Sequence, residues 1–97
     1  MTVYWVSRHP GAIDWAREAG VEFDAALGHL DASIVRPGDT VLGTLPVHLA
    51  AEVCARGARY LHLSLGLARA QRGRELSAQQ LRECGARLAE YRIEAVA

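Results

Sequence analysis

One stretch near the start of the chain, TVYWVSRHPGAIDWAREAG at residues 2–20, sets the pattern for the rest of the sequence. Residues 2–7 are rich in β-branched and aromatic side chains, which is typical of a buried strand. Pro10 suits the first residue of a helix, and Gly20 suits the position just after its end. The helix between them has an apolar face made by Ile13, Trp15, Ala16 and Ala19. The stretch therefore predicts a strand followed directly by a helix.

The same succession recurs in the middle of the chain. A turn signal at residues 37–39, Pro-Gly-Asp, precedes a short apolar strand at Thr40–Gly43. Pro46 suits the first turn of the next helix, and Gly57 suits its end. Residues 59–65 then predict a third strand, in which Tyr60, His62 and Ser64 alternate with leucines.

The elements near the ends of these units are less sharply defined. Residues 21–23 favour a short strand, and residues 66–76 form a predicted loop rich in Gly and Arg. Ser77 and Gln80 form a capping box, so a helix is expected from there to about Glu90, with Gly85 as a weak point inside it. Residues 92–97 are expected to form a last strand. Alternation of this kind predicts a small Rossmann-like α/β domain over residues 1–97, with a mostly parallel sheet and helices on both faces.

Composition narrows the classes of function. The chain has 97 residues and a formal net charge of +0, which argues against generic binding to duplex DNA. All 11 basic residues are arginines, which suits phosphate binding but is also what a GC-rich genome produces. Cys54 and Cys84 have no metal-ligand spacing and are expected to be free thiols. No apolar run approaches a membrane span, so we expect a cytoplasmic protein with no membrane partner. A core this small also favours a dimer.

Three polar clusters directly follow predicted strands. They lie at residues 7–11, 44–48 and 69–75, and each precedes a predicted helix. Ligands of open parallel sheets bind at the carboxyl ends of the strands, and helix N-termini favour anions. The clusters share the chemistry of a phosphate site: hydroxyls from Ser7 and Thr44, charge from Arg8 and Arg72, and titratable rings from His9 and His48.

Several chemistries are missing from these clusters. Neither the Walker pattern nor Gly-x-Gly-x-x-Gly is present, and no acidic cluster suits Mg²⁺, so no cofactor and no metal are predicted. Phosphoryl chemistry here would depend on positioning and charge stabilisation. Structural alternatives remain open: Ser7 as a helix cap, Arg8 and His9 as a solvated loop, Thr44 as a turn residue, His48 and the Arg-rich loop as solvated surface, and His29 and His62 as structural histidines.

Four motifs carry a resemblance to a known family. They are SRHPGA at residues 7–12, GD at 38–39, GTLPVH at 43–48 and RG-x-EL at 72–76. Together they resemble the small CRISPR-associated Csx family numbered sixteen, also called the VVA type, which is found beside type III systems. The resemblance extends over nearly the whole chain and keeps the motif order.

The resemblance implies a ring nuclease. Such a protein has a Rossmann-like fold similar to the CRISPR-associated nucleotide-binding (CARF-like) domains, works as a homodimer, and degrades cyclic oligoadenylate, with cyclic tetra-adenylate as the expected ligand. No metal or cofactor takes part: a ribose 2′-hydroxyl attacks the adjacent phosphate and leaves a 2′,3′-cyclic phosphate. The catalytic set on this hypothesis is Arg8, His9, Thr44 and His48. The ligand-binding set is Ser7, Pro10, Gly11, Gly43, Leu45, Pro46, Arg72 and Glu75.

Three other classes compete with this interpretation. A non-catalytic protein that sequesters or senses the cyclic nucleotide would have the same sequence pattern. A histidine phosphatase carries Arg-His-Gly after its first strand, but here Pro10 stands in place of that Gly and the chain is short for that fold. A structural subunit of a CRISPR complex would bind no nucleotide.

Overall fold

A computed structural model describes residues 1–64 and 77–96. A short 3₁₀ turn at Ala32–Ile34 lies between the second and third strands. The strands and helices, in chain order, are β1 (Val3–Val6), α1 (Pro10–Glu18), β2 (Ala25–Leu27), β3 (Thr40–Gly43), α2 (Val47–Ala55), β4 (Arg59–Ser64), α3 (Ala78–Glu83) and β5 (Arg87–Tyr91).

The strands form one sheet in the order β2-β1-β3-β4-β5. The first four strands in that order pair in parallel, and β5 runs antiparallel to β4. Val6 pairs with Leu27 on one side and with Gly43 on the other, so the carboxyl ends of β1, β2 and β3 meet at one edge. The mostly parallel, Rossmann-like α/β fold predicted from the sequence is confirmed.

Helices cover both faces of the sheet, as predicted. On one face, α1 and α3 pack around the fully buried Trp5. On the other, α2 packs around Val41 and Tyr60 together with Leu30 and Val35, which flank the 3₁₀ turn. Because side chains alternate along a strand, β4 directs Tyr60 toward α2 and Leu63 toward α1 and α3.

The predicted strand at residues 21–23 is wrong, and β2 lies slightly later. Val21 and Phe23 are apolar because they pack against the core from a loop. The chain joins the sheet only at Asp24, whose backbone N–H donates to Val3 O at 2.8 Å. A second bond runs from the Val3 N–H to the Asp24 carboxylate at 2.7 Å.

The predicted end of α3 and the predicted last strand are also wrong. The Ser77–Gln80 capping box is present, but α3 ends at Glu83. Gly85 has a φ of +72°, a backbone conformation that favours glycine, so it terminates the helix instead of weakening its interior. The chain then re-enters the sheet at once, and β5 occupies Arg87–Tyr91 instead of residues 92–97.

The turn before β3 is held by a buried carboxylate. Asp39 accepts hydrogen bonds from the backbone N–H groups of Thr2 and Arg36, each at 2.9 Å. Both bonds lower the pKa of the Asp39 carboxyl group, and the bond from Thr2 has the larger effect. The turn at residues 37–39 therefore does more than reverse the chain, because it fixes the start of β3 beside the start of β1.

Candidate functional site

The chain places β2 on one side of β1 and β3 on the other. From β1 the chain crosses to β2 on one side and then returns to β3 on the other, which makes the carboxyl ends of β1 and β3 a switch point. A pocket of about 670 Å³ opens there. Its lining comes from Val6, Ser7, Arg8, His9, Gly28, His29, Leu30, Thr44, Leu45, Pro46, His48 and Leu49.

The pocket has an apolar floor and a polar rim. Val6, Leu30 and Leu45 are buried beneath it. Exposed or half-buried polar side chains surround this floor: Ser7, Arg8, His9, His29, Thr44 and His48. An apolar floor with a few polar groups around it is typical of small-molecule binding sites.

The first side of the pocket is the turn between β1 and α1. Ser7 Oγ accepts the His9 backbone N–H at 3.0 Å, and the Ser7 N–H donates to Leu27 O at 2.9 Å. The N-cap of α1 is His9, and Pro10 occupies the first helical position as predicted. Ser7 thus stabilises the turn before α1 instead of capping the helix, and it keeps its hydroxyl hydrogen for another acceptor.

Arg8 joins this turn to the loop after β2. Its Nε–H donates to Gly28 O at 3.2 Å, while the rest of its guanidinium group lies at the exposed rim. This bond holds Gly28 and His29 at the pocket, where the sequence predicted only a structural role for His29. A correct placement of β2 in the sequence would have indicated that this loop belongs to the pocket, because a parallel neighbour of β1 must end at the same edge of the sheet.

The opposite side of the pocket is the turn between β3 and α2. Gly43 ends β3 with a φ of +127°, and the Thr44 N–H donates to Val6 O at 3.3 Å. The Leu45 N–H donates to the Tyr60 hydroxyl at 3.0 Å. Pro46 is the N-cap of α2 and not its first residue, because its carbonyl accepts the first bonds of the helix.

Both helices therefore begin at the pocket, and neither N-cap side chain makes a capping hydrogen bond. The first N–H groups of a helix have no partner within the helix, and the helix dipole favours negative charge near them. His48 stands exposed in the first turn of α2. The arrangement can bind an anion between two helix ends and a guanidinium group.

A family model described as "Putative CRISPR-associated protein (Cas_VVA1548)" matches residues 4–94. The chain belongs to this CRISPR-associated family. The match contains both sides of the pocket and the loop after β2. No curated protein and no solved structure matches the chain.

In this CRISPR-associated protein, the pocket gathers most of the sequence-predicted site. Four candidate catalytic residues line it, and Ser7, Leu45 and Pro46 line it as well. Pro10, Gly11 and Gly43 do not line it; they form the helix start and the strand end behind it. Arg72 and Glu75 lie outside the described residues.

A second pocket lies next to this site of the CRISPR-associated protein. His48 also lines a second pocket of about 430 Å³ between α2 and residues 92–95. The Ile93 N–H donates to Cys54 Sγ at 3.5 Å and holds this tail against α2.

Across residues 1–64 and 77–96, no group of three His, Cys, Asp or Glu side chains is placed to hold a metal ion. None of the helices there has the length and apolarity to cross a membrane.

Proposed function

We propose that this CRISPR-associated protein is a ring nuclease that degrades cyclic oligoadenylate and thereby switches off type III antiviral signalling in the cytoplasm. The expected substrate is cyclic tetra-adenylate. The observation that supports this function best is the convergence of Arg8, His9, Thr44 and His48 on one pocket at the switch point. The motifs that contribute these residues are those that resemble the type III family.

The pocket offers separate surfaces for the parts of an adenylate unit. The apolar floor at Leu30 and Leu45 suits the face of an adenine ring. The guanidinium group of Arg8 suits a phosphate, because its fork can donate two hydrogen bonds to two oxygens. The hydroxyls of Ser7 and Thr44 are available as further donors at the rim.

The proposed reaction needs no cofactor and no metal. The 2′-oxygen of one ribose attacks the phosphorus of the adjacent phosphate; a bond forms between O2′ and phosphorus, and the bond from phosphorus to O5′ breaks. The 2′-hydroxyl proton leaves to a base, and O5′ receives a proton. Arg8 stabilises the charge that develops on the non-bridging oxygens.

Two histidines on opposite turns of the pocket are candidates for the proton transfers. His9 follows β1 and His48 lies in the first turn of α2. A phosphate bound between them would therefore have one imidazole group on each of its sides. Their assignment as base and acid is left open. Positioning of the 2′-oxygen in line with the P–O5′ bond also accelerates this chemistry without proton transfer by either ring.

A two-fold dimer would match the symmetry of the ring. A pocket of about 670 Å³ holds part of a cyclic tetra-adenylate, so each of two subunits would bind half of it. In this arrangement Val47, an apolar side chain that is 73% exposed next to His48, would be buried between the two subunits.

One experiment separates the candidate functions. Purified protein is incubated with cyclic tri-, tetra- and hexa-adenylate in EDTA, and the products are identified by liquid chromatography and mass spectrometry. We expect one ring to become linear fragments with cyclic phosphate ends. If every ring survives, the protein is not a ring nuclease. A binding titration on the same samples then separates a protein that sequesters the ligand from a structural subunit of a CRISPR complex.

A further inference from the structure

Tyr60 lies behind the pocket and touches the turn that forms one of its sides. Its side chain is 1% exposed and projects from β4 toward α2. The hydroxyl has three polar neighbours: the Leu45 N–H at 3.0 Å, His62 Nδ1 at 2.6 Å and Gly43 O at 3.4 Å. Burial raises the pKa of the Tyr60 hydroxyl, so it stays protonated near neutral pH.

The Tyr60 oxygen accepts from Leu45 in either arrangement of its own proton. A hydroxyl donates one hydrogen bond and accepts up to two. Because the Leu45 N–H is a donor, the Tyr60 oxygen accepts from it. The hydroxyl then either donates to His62 Nδ1, or accepts from Nδ1–H and donates to the Gly43 carbonyl.

The Leu45 amide depends on this hydroxyl. Leu45 is 7% exposed, and buried N–H groups in native proteins almost always have a partner. The turn is tied at Thr44 to Val6 O and at Leu45 to Tyr60, and α2 begins immediately after it. The hydroxyl of Tyr60 therefore fixes the point from which α2 starts.

We propose that Tyr60 is the positioning residue of the candidate site: through the Leu45 amide it sets where Thr44 and His48 stand relative to Arg8 across the pocket. Its catalytic consequence rests on the proposed ring nuclease activity. Small displacements of reacting groups are costly in reactions that depend on alignment, so the proposal predicts an effect on the chemical step more than on binding.

Three variants test the proposal by kinetics. Tyr60→Phe keeps the ring and removes only the hydroxyl, and we expect kcat for cyclic tetra-adenylate to fall about 10- to 100-fold with KM changed by less than about threefold. Tyr91→Phe is the matched control: it removes the hydroxyl of the exposed tyrosine whose ring meets His62. His62→Phe leaves the bond from Leu45 in place. Both should keep kcat within about threefold of the wild type.

A fourth variant separates positioning from stability. Val53 is fully buried in α2, in the same core cluster as Leu45 and Tyr60, and it does not line the pocket, so Val53→Ala lowers the Tm while the Tyr60 hydroxyl that holds the turn is kept. It should keep kcat when assayed well below its Tm. A Tyr60→Phe enzyme with wild-type kcat, or a Val53→Ala enzyme as slow as Tyr60→Phe at the same folded fraction, would overturn the proposal.

Nuclear magnetic resonance tests the geometry without the reaction. In the wild type we expect slow hydrogen exchange at the Leu45 amide; fast exchange there would overturn the proposal, even if Tyr60→Phe does not fold. In folded Tyr60→Phe, resonance shifts should concentrate at residues 44–48. If the wild type cleaves no ring, the proposed activity fails, whereas these spectra still decide the positioning role.

Discussion

Gly43 and Val6 approach so closely that no side chain fits between them. A Cβ atom at Gly43 would collide with the backbone carbonyl oxygen of Val6, and the φ of Gly43 is +127°. This contact closes the gap between β1 and β3 at the edge where the pocket opens. It also lets the Thr44 N–H reach the same carbonyl.

Gly43→Ala should therefore be strongly destabilising. The strained φ and the collision together should reduce the free energy of unfolding by about 2–4 kcal/mol, because neither can be relieved without separating the strands. Chemical denaturation measures this loss. Gly20→Ala is the control, since Gly20 also has a positive φ but nothing lies within 4 Å of its Cβ position. Equal losses in the two variants would contradict the close approach.

Arg8→Ala should reduce cleavage of cyclic tetra-adenylate about 100-fold, because it removes the cation beside the developing phosphate charge and the bond to Gly28. Arg8→Lys should recover only part of the rate, since an ammonium group lacks the planar fork. Steady-state kinetics measure both. Arg59→Ala is the matched control: Arg59 pairs with Glu90 at 2.7 Å on the surface, away from the pocket. An active Arg8→Ala enzyme would remove Arg8 from the proposed site.

His48→Ala and His29→Ala should affect different kinetic constants. His48 is in a motif that directly follows a strand and starts α2, so we expect its loss to lower kcat by about 100-fold. His29 is exposed on the neighbouring loop, and we expect its loss to raise KM with little change in kcat. Single-turnover and steady-state rates separate the two effects. A His48→Ala enzyme with wild-type kcat would remove His48 from the proposed proton transfers.

Asp39 should make stability depend on pH in acid. Hydrogen bonds from the Thr2 and Arg36 amides lower the pKa of Asp39 in the folded protein. The contribution of Asp39 to the free energy of unfolding is therefore fully present above the pKa of the unfolded chain, about 3.9, and is lost as the pH falls through the pKa of the folded state. Asp39→Asn should lower the Tm at pH 7, and the difference from the wild type should shrink below about pH 4. Thermal scans across pH measure the difference. A constant gap between the two curves would contradict the role of the charge.

Val47→Asp should weaken the proposed homodimer and slow cleavage. Val47 is 73% exposed beside the pocket, and a buried unpaired carboxylate at an interface is costly. Sedimentation velocity measures the oligomeric state. Val96→Asp is the control, because Val96 is 99% exposed beyond β5. A wild-type protein that sediments as a monomer with ligand bound would contradict the two-fold arrangement.

The sequence predicted those parts of the fold that local chemistry determines. Pro10 and the glycines after α1 and α2 mark helix boundaries through their own backbone preferences, and β1, β3 and β4 carry β-branched or aromatic residues. The sequence predicts the second strand at residues 21–23, too early, because Ala25–Leu27 has no such preference and is a strand only through pairing with β1. The end of α3 was misplaced because the apolar pattern continues past Gly85 into β5.

Local sequence patterns likewise predict only part of the candidate site. The turns that contain Arg8 and His48 were found because each directly follows a strand with a clear pattern. The place of His29 at the pocket depends on where β2 ends, which the sequence does not predict correctly. The role of Tyr60 comes from a contact with Leu45, which is distant in sequence and follows from the register of β3 against β4. No local pattern indicates such a contact.

The strand order has a consequence for how the protein is made. β1 is translated first, yet it lies inside the sheet, and both of its neighbours, β2 and β3, are translated later. Until residues 40–43 have left the ribosome, a nascent chain therefore carries an apolar strand with one unpaired edge, even after β2 has paired with the other edge, and such edges are prone to aggregate. The pocket forms only after that, since its second turn follows β3. Ribosome-bound chains that end before β3 should depend on chaperones and bind no ligand.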